Sequence, residues 1–225
     1  EGIFTFMNTI LTVQDHIIVQ YPAYQSLYEI AKSIGCQITK IYLKKNDGWS
    51  FNLEELQTSI KSNTKALIIN FPHNPTGSMI NPEKYEKIVD IAKKNNLYLF
   101  SDEVYRFLEY QEDFRLKPAV DLYSKAISLG VLSKSFGLAG LRVGWIATQD
   151  ENLLEKLKSF KDYTTICNSA PSEFLAEIAI KHRKNVISRN LEIIKKNVTM
   201  LDHFFEKYKH IFDWYKPKAG TVGLV

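Results

Sequence analysis

Between Ile17 and Thr148 short, nearly continuous apolar runs alternate with longer segments whose apolar residues recur at helical spacing. Strands buried on both faces of a sheet produce such runs, and the helices that join parallel strands produce the amphipathic segments between them. The pattern predicts six strands: Ile17 to Tyr21, Cys36 to Leu43, Ala66 to Asn70, Tyr98 to Ser101, Ala126 to Leu132 and Val143 to Ala147. Helix starts are marked by Asn52, with Glu55 three residues on, and by Asn81, with Pro82 at the first helical position. Lys44 to Gly48 reads as a turn. From Pro171 to about Tyr208 the helical spacing of Phe174, Leu175, Ile178, Ile194, Val198, Leu201 and Phe205 predicts one or two long helices that leave the sheet. The expected fold class is α/β, a mostly parallel sheet with helices on both faces. Residues 1–168 would form this large domain, and residues 169–225 a linker helix and the beginning of a small, incomplete C-terminal domain, with the boundary near Ser169.

Composition narrows the function classes. A chain of 225 residues with 45% hydrophobic content can bury a sizeable core. Its charged fraction is 24%, and the net charge of +4 is spread without Lys/Arg blocks, so nucleic-acid binding has no support. Runs such as Ala66 to Phe71 and Leu97 to Phe100 are far below the roughly 20 apolar residues of a membrane helix. Cys36 and Cys167 form no C-x-x-C pair, so no disulfide framework or zinc site is indicated and a reducing cytoplasm is expected. Glu1 is not an initiator Met, and Thr221 to Val225 stop inside an apolar stretch, which reads as a fragment lacking both ends. No signal peptide is visible.

In an open α/β sheet, ligands bind beyond the carboxyl ends of the strands, where helix N-termini and loop amides face a crevice. Tyr24, Asn74, Asp102, Tyr105, Lys134 and Arg142 fall at or just past those ends, a mixture unusual for a purely structural rim. In Asn70-Phe71-Pro72-His73-Asn74-Pro75-Thr76-Gly77 the prolines and glycine define a tight turn that would hold Asn74 rigidly, although Asn-Pro is also an ordinary turn signal. His73 reads as loop packing rather than a catalytic base. Asp102 emerges from a buried run and needs either a cation or, as a helix N-cap, backbone amides. Lys134 sits in a small, apolar, glycine-containing loop from Gly130 to Gly144. With a reference pKa of about 10.4 an amine nucleophile gains from a desolvated or cationic setting, which this loop and Arg142 could supply.

The Asn-Pro-Thr-Gly turn, the Asp-x-x-Tyr strand end and the Ser-Lys-x-x-Gly-x-x-Gly-x-Arg loop follow one another at suitable spacing. In this the chain resembles the class I/II aminotransferases, fold type I enzymes that depend on pyridoxal 5'-phosphate, over about Ile17 to Gly223. The resemblance implies that Lys134 binds the cofactor aldehyde covalently and later moves the substrate proton. It implies that Asp102 faces the pyridine nitrogen, that Asn74 and Tyr105 hydrogen-bond the ring's phenolate oxygen, and that Arg142 binds the phosphate. Tyr24 would stack on the ring, with core packing as the alternative. It further implies amino acid and 2-oxo acid substrates and a homodimer, with Tyr163 to Asn168 facing the neighbouring subunit.

The chain departs from the family pattern at Val131, where members often carry a phosphate-binding Ser. Ser133 or Ser135 would have to compensate. The small-residue phosphate turn would lie before Glu1 and the substrate-carboxylate arginine after Val225. A lyase, a ring-closing synthase or a decarboxylase could retain every residue named, as could a regulatory domain that binds the cofactor without turnover. A Ser-Lys hydrolase is disfavoured because Ser133 and Lys134 are sequence neighbours. No G-x-G-x-x-G follows a strand, and the five histidines form no H-E-x-x-H pattern.

Overall fold

The computed structural model describes residues 1–225. Its strands are β1 (His16–Tyr21), β2 (Gln37–Tyr42), β3 (Thr64–Asn70), β4 (Tyr98–Asp102), β5 (Ala126–Val131) and β6 (Gly144–Thr148). They form one sheet in the order β2-β1-β3-β4-β5-β6. Five strands run parallel, while β6 pairs antiparallel with β5, from Ile127↔Thr148 to Val131↔Gly144. An apolar run alternates its side chains in the same way whichever direction it travels, so the reversal of β6 lies outside what the pattern can express. The reversal does have a consequence. No helix crosses back over the sheet between β5 and β6, and the direct connection is the loop that carries Lys134.

The helices are α1 (Gly2–Ile10), α2 (Ser26–Ile34), α3 (Leu53–Thr58), α4 (Pro82–Lys94), α5 (Ala119–Leu122), α6 (Glu151–Lys161), α7 (Ala170–Lys181) and α8 (Arg183–Lys207). Asn52 caps α3 by accepting from the Glu54 and Glu55 amides, and Asn81 caps α4 by accepting from those of Glu83 and Lys84. Each such cap contributes about 1 kcal/mol. The Lys44 to Gly48 turn contains one turn of 3-10 helix and closes on Gly48 at φ 63°. Between Pro171 and Tyr208 there are two helices rather than one, and Ser169 directly precedes the first.

Alternation along the strands divides the core into two layers. Ile17, Val19, Ile68, Phe100, Ile127 and Leu129 meet Phe6 and Met7 of α1, Leu27 of α2, and Leu153 and Leu157 of α6. Ile18, Leu67, Ile69 and Leu99 meet Leu56 of α3 and Tyr85, Ile88 and Val89 of α4. A third, smaller cluster packs Leu132 and Phe136, which flank Lys134, against Ala176 and Ala179 of α7. Beyond α8 the chain returns to the sheet unit. Lys218 and Ala219 amides donate to the Gly77 carbonyl, Gly220 donates to Leu108, and Ala219 is fully buried. No helix is long and apolar enough to cross a membrane.

Candidate active site

β4 ends at Asp102, whose side chain falls on the Phe100 face of the sheet by alternation, while Ser101 and Glu103 fall on the other. Asp102 is 3% exposed and accepts one hydrogen bond, from the Val104 amide at 3.2 Å. No helix starts there: the chain continues through turns, so the carboxyl is not a helix N-cap. Burial, opposed by that hydrogen bond and by Lys134, pushes its pKa up to about 7. No ion pair reaches it, and Lys134 acts on it only at longer range. A carboxyl this deep with no counter-ion retains a strong affinity for one.

Glu103, its neighbour, is better supplied with partners, although burial still raises its pKa. It accepts from the Ala119 amide at 2.9 Å and the Ser128 hydroxyl at 2.7 Å, with Arg106 at 3.5 Å. Glu103 therefore ties β4 to β5 and α5, a structural use that the sequence did not announce.

Tyr105 is 2% exposed, and the Lys134 Nζ lies 5.5 Å from its ring centroid. Lys134 itself is exposed, which corrects the expectation of a desolvated amine. The apolar loop residues Leu132 and Phe136 turn toward α7 and leave the lysine facing outward. The loop is nevertheless well held. Leu138 N–H donates to Leu132 O, Gly137 N–H donates to Lys134 O, and Asn190 of α8 donates to Ser135 O at 3.0 Å. Gly137 has φ +67°, and a Cβ there would lie 3.3 Å from the Asn190 amide, so both backbone and space favour glycine.

Ser135 is buried and donates its hydroxyl to the Arg106 carbonyl, so it is engaged within the fold. Ser133 is half-buried and makes no side-chain hydrogen bond, so of the two it is the one free to meet a ligand. Arg142 is exposed at φ 56°, with one hydrogen bond to the Ala139 carbonyl and no carboxylate partner. Tyr24 is 51% exposed, which excludes core packing. Neither Arg142 nor Tyr24 bonds directly to Lys134 or Asp102.

The Asn74 turn is anchored at two points. Its own amide donates to Asn70 Oδ1 at 2.8 Å, and the adjacent His73 ring reaches the Pro22 carbonyl through Nε2 at 2.8 Å and Thr76 Oγ1 through Nδ1 at 2.7 Å. His73 is completely buried, and burial lowers its pKa to about 4, so the ring is neutral. A carbonyl only accepts, so Nε2 carries the proton and Nδ1 accepts from the Thr76 hydroxyl. His73 thus joins the Asn74 turn to the loop that bears Tyr24. Nothing in the sequence distinguished this partner, which lies 51 residues away.

The pH dependence follows from the sign of that shift. Between pH 6.5 and 4 the unfolded histidine takes up a proton that the folded one does not, so stability is present above pH 6.5 and is lost as pH falls. Asp102 acts oppositely, because its raised carboxyl binds a proton in the folded chain first. The useful readout is therefore a difference. By urea unfolding, His73→Gln should be destabilised at pH 7.5, and its deficit should shrink by about 2 kcal/mol at pH 5. A deficit that is the same at both pH values would remove the buried neutral imidazole.

The model of the family described as aminotransferase class I and II matches residues 1–224. The chain belongs to the class I and II aminotransferase family. Capreomycidine synthase of Streptomyces vinaceus is 28% identical over 224 residues, covering 100% of this chain and 57% of that protein. Aspartate aminotransferase of Sulfolobus acidocaldarius is 30% identical over 169 residues, covering 74% of this chain and 41% of the relative. Among solved structures, a PLP-dependent aminotransferase from Streptococcus suis superposes with a TM-score of 0.86 at 32% identity, over 92% of this chain and 54% of that one. Aspartate aminotransferase of Thermus thermophilus shares the fold at a TM-score of 0.91 and 21% identity, over 98% of this chain and 57% of that one. The chain spans about half the length of the curated relatives it matches. Within the family frame, the strand ends of β3, β4 and β5 carry the residues that sequence spacing had singled out.

Proposed function

We propose that this chain is the cofactor-binding part of a pyridoxal-phosphate-dependent aminotransferase, which moves an amino group between an amino acid and a 2-oxo acid. The observation that carries this reading is Asp102, a carboxyl buried at a strand end with no cation of its own, beside the Tyr105 and Lys134 pair. The residues present fit the cofactor. A protonated ring nitrogen is the cation that Asp102 lacks, and exposed Lys134 is open to an aldehyde. Arg142 and Ser133 have unengaged donors for a phosphate.

When bound, pyridoxal phosphate supplies an aldehyde that takes up an amino group and a cationic ring that withdraws electrons. Asp102 holds the proton on the ring nitrogen, since an opposite charge within a few ångströms favours the charged form by about 1–3 pKa units. Asn74 and Tyr105 would donate to the ring's phenolate oxygen. Lys134 Nζ would hold the cofactor through its aldehyde and would accept and return the substrate's proton, which requires a neutral amine. Arg142 forms charge-assisted bonds to the phosphate, with Ser133 beside it, and Tyr24 covers the ring face.

Residues 1–168 would be the large domain and residues 169–225 the linker helix and start of a small one. The setting is cytoplasmic, and the assembly a homodimer with the exposed Tyr163 and Ile166 toward the neighbour. A synthase reaction on the same cofactor is the second reading, favoured by the match to capreomycidine synthase along the whole chain. The deciding assay supplies the intact protein with amino acids and 2-oxoglutarate or pyruvate. New paired amino and keto acids are expected. Ammonia released without an acceptor, or a cyclised product, would replace transamination by the other chemistry.

A further inference from the structure

We infer that Asn70, which no motif singled out, is a positioning residue that sets Asn74 relative to Asp102 across the cofactor ring; this rests on the cofactor reading above. Asn70 is the last residue of β3 and is 1% exposed. Its Oδ1 accepts from the Asn74 amide at 2.8 Å, and its Nδ2 donates to the Asp102 carbonyl at 2.8 Å. Its own carbonyl accepts from Gln20 Nε2 at 2.9 Å, which ties it to β1 as well.

The register explains why a side chain is needed here. The β3–β4 ladder ends on the pair Asn70↔Asp102, and the chains then separate. Beyond that pair no other hydrogen bond runs directly between residues 71–78 and residues 103–110. Asn74 and Asp102 are assigned to opposite edges of one ring, so their separation has to be held within a fraction of an ångström for both to engage it. A short, buried amide bonded to the main chain of both provides that constraint. A sheet hydrogen bond cannot, because the two segments no longer run side by side.

The role is distinguishable from bulk stability because Asn74 faces the phenolate oxygen, whose environment governs the pH at which the visible absorption of Lys134-bound cofactor changes. In the intact protein loaded with pyridoxal phosphate, Asn70→Leu should move that midpoint in the same direction as Asn74→Ala, by at least about threefold in apparent ionisation constant. In an Asn74→Ala background, Asn70→Leu should add less than half of that shift, because the residue it positions is gone. Asn52→Ala removes the α3 cap far from the site and should lower stability without moving the midpoint. Without cofactor, the Asn74 amide should exchange its hydrogen at least about tenfold faster in Asn70→Leu. Should Asn70→Leu fail to fold, Asn70→Ser is read in the same way. An unchanged midpoint, an equal shift in both backgrounds, or unchanged amide exchange overturns the inference while leaving the cofactor reading intact. Absence of any Lys134-dependent absorption in the wild type overturns the cofactor reading and this role with it.

Discussion

Lys134→Ala is expected to abolish amino transfer by the intact protein, by at least about 10⁴-fold, while its stability stays within about 0.5 kcal/mol of wild type. The two halves of that expectation come from the same geometry. Lys134 is exposed and makes no side-chain hydrogen bond or ion pair, while the loop around it is held by main-chain bonds, by Asn190 and by Leu132 and Phe136 packed on α7. Truncation therefore removes an amine and little packing. In the proposed reaction the same atom would have two tasks, covalent capture and proton transfer, and general acid–base catalysis alone is worth 10² to about 10⁴. Borohydride treatment of the loaded wild type should fix the cofactor on the peptide containing Lys134. Label found on another lysine, or substantial turnover by the variant, would sink the assignment.

Asp102→Asn should separate function from stability in the opposite sense. With its pKa pushed up to about 7, the Asp102 carboxyl is destabilising to the cofactor-free fold whenever it is ionised. The sign is that of a raised acid: its contribution is most favourable below its unfolded pKa of about 3.8 and declines as pH rises through 7. An amide has the same shape, can still accept from Val104, and carries no charge. The variant should therefore be more stable than wild type at pH 8 without cofactor, by several kcal/mol, on the order of 4 at most. Activity should fall by about 10²-fold or more, because a neutral amide cannot hold the ring nitrogen's proton. Stability is read by denaturant titration at pH 5 and pH 8, where the gain should grow from about 1.5 kcal/mol at the lower pH to about 4 kcal/mol at the higher. A variant that is fully active, or no more stable at pH 8, contradicts the role given to Asp102.

This opposition between stability and activity is expected where a buried carboxyl is left with a single hydrogen bond at a ligand site. The fold tolerates a buried carboxyl that has no ion pair and only the longer-range charge of Lys134, while the nearby Glu103, also raised by burial, receives several direct partners. Glu103 received an amide, a hydroxyl and a guanidinium. Asp102, one residue earlier and on the other face, received a single amide.

The sequence by itself determined the six strands to within about two residues, the caps at Asn52 and Asn81, and the placement of Asn74, Asp102, Tyr105 and Lys134 at strand ends. These are local properties: apolar runs, side-chain acceptors next to helix starts, and turn residues act on neighbours a few positions away. The tertiary structure alone decided the direction of β6, because alternation carries no direction. It also decided between Ser133 and Ser135, since only the fold brings the Arg106 carbonyl to the Ser135 hydroxyl. The exposure of Lys134 was decided by α7, which draws its apolar neighbours away from it. Asn70 and His73 acquired their meaning through Asp102 and Pro22, 32 and 51 residues distant in the chain. Their partners are set by which strands lie side by side, and that depends on the packing of the whole sheet rather than on any pattern around either residue.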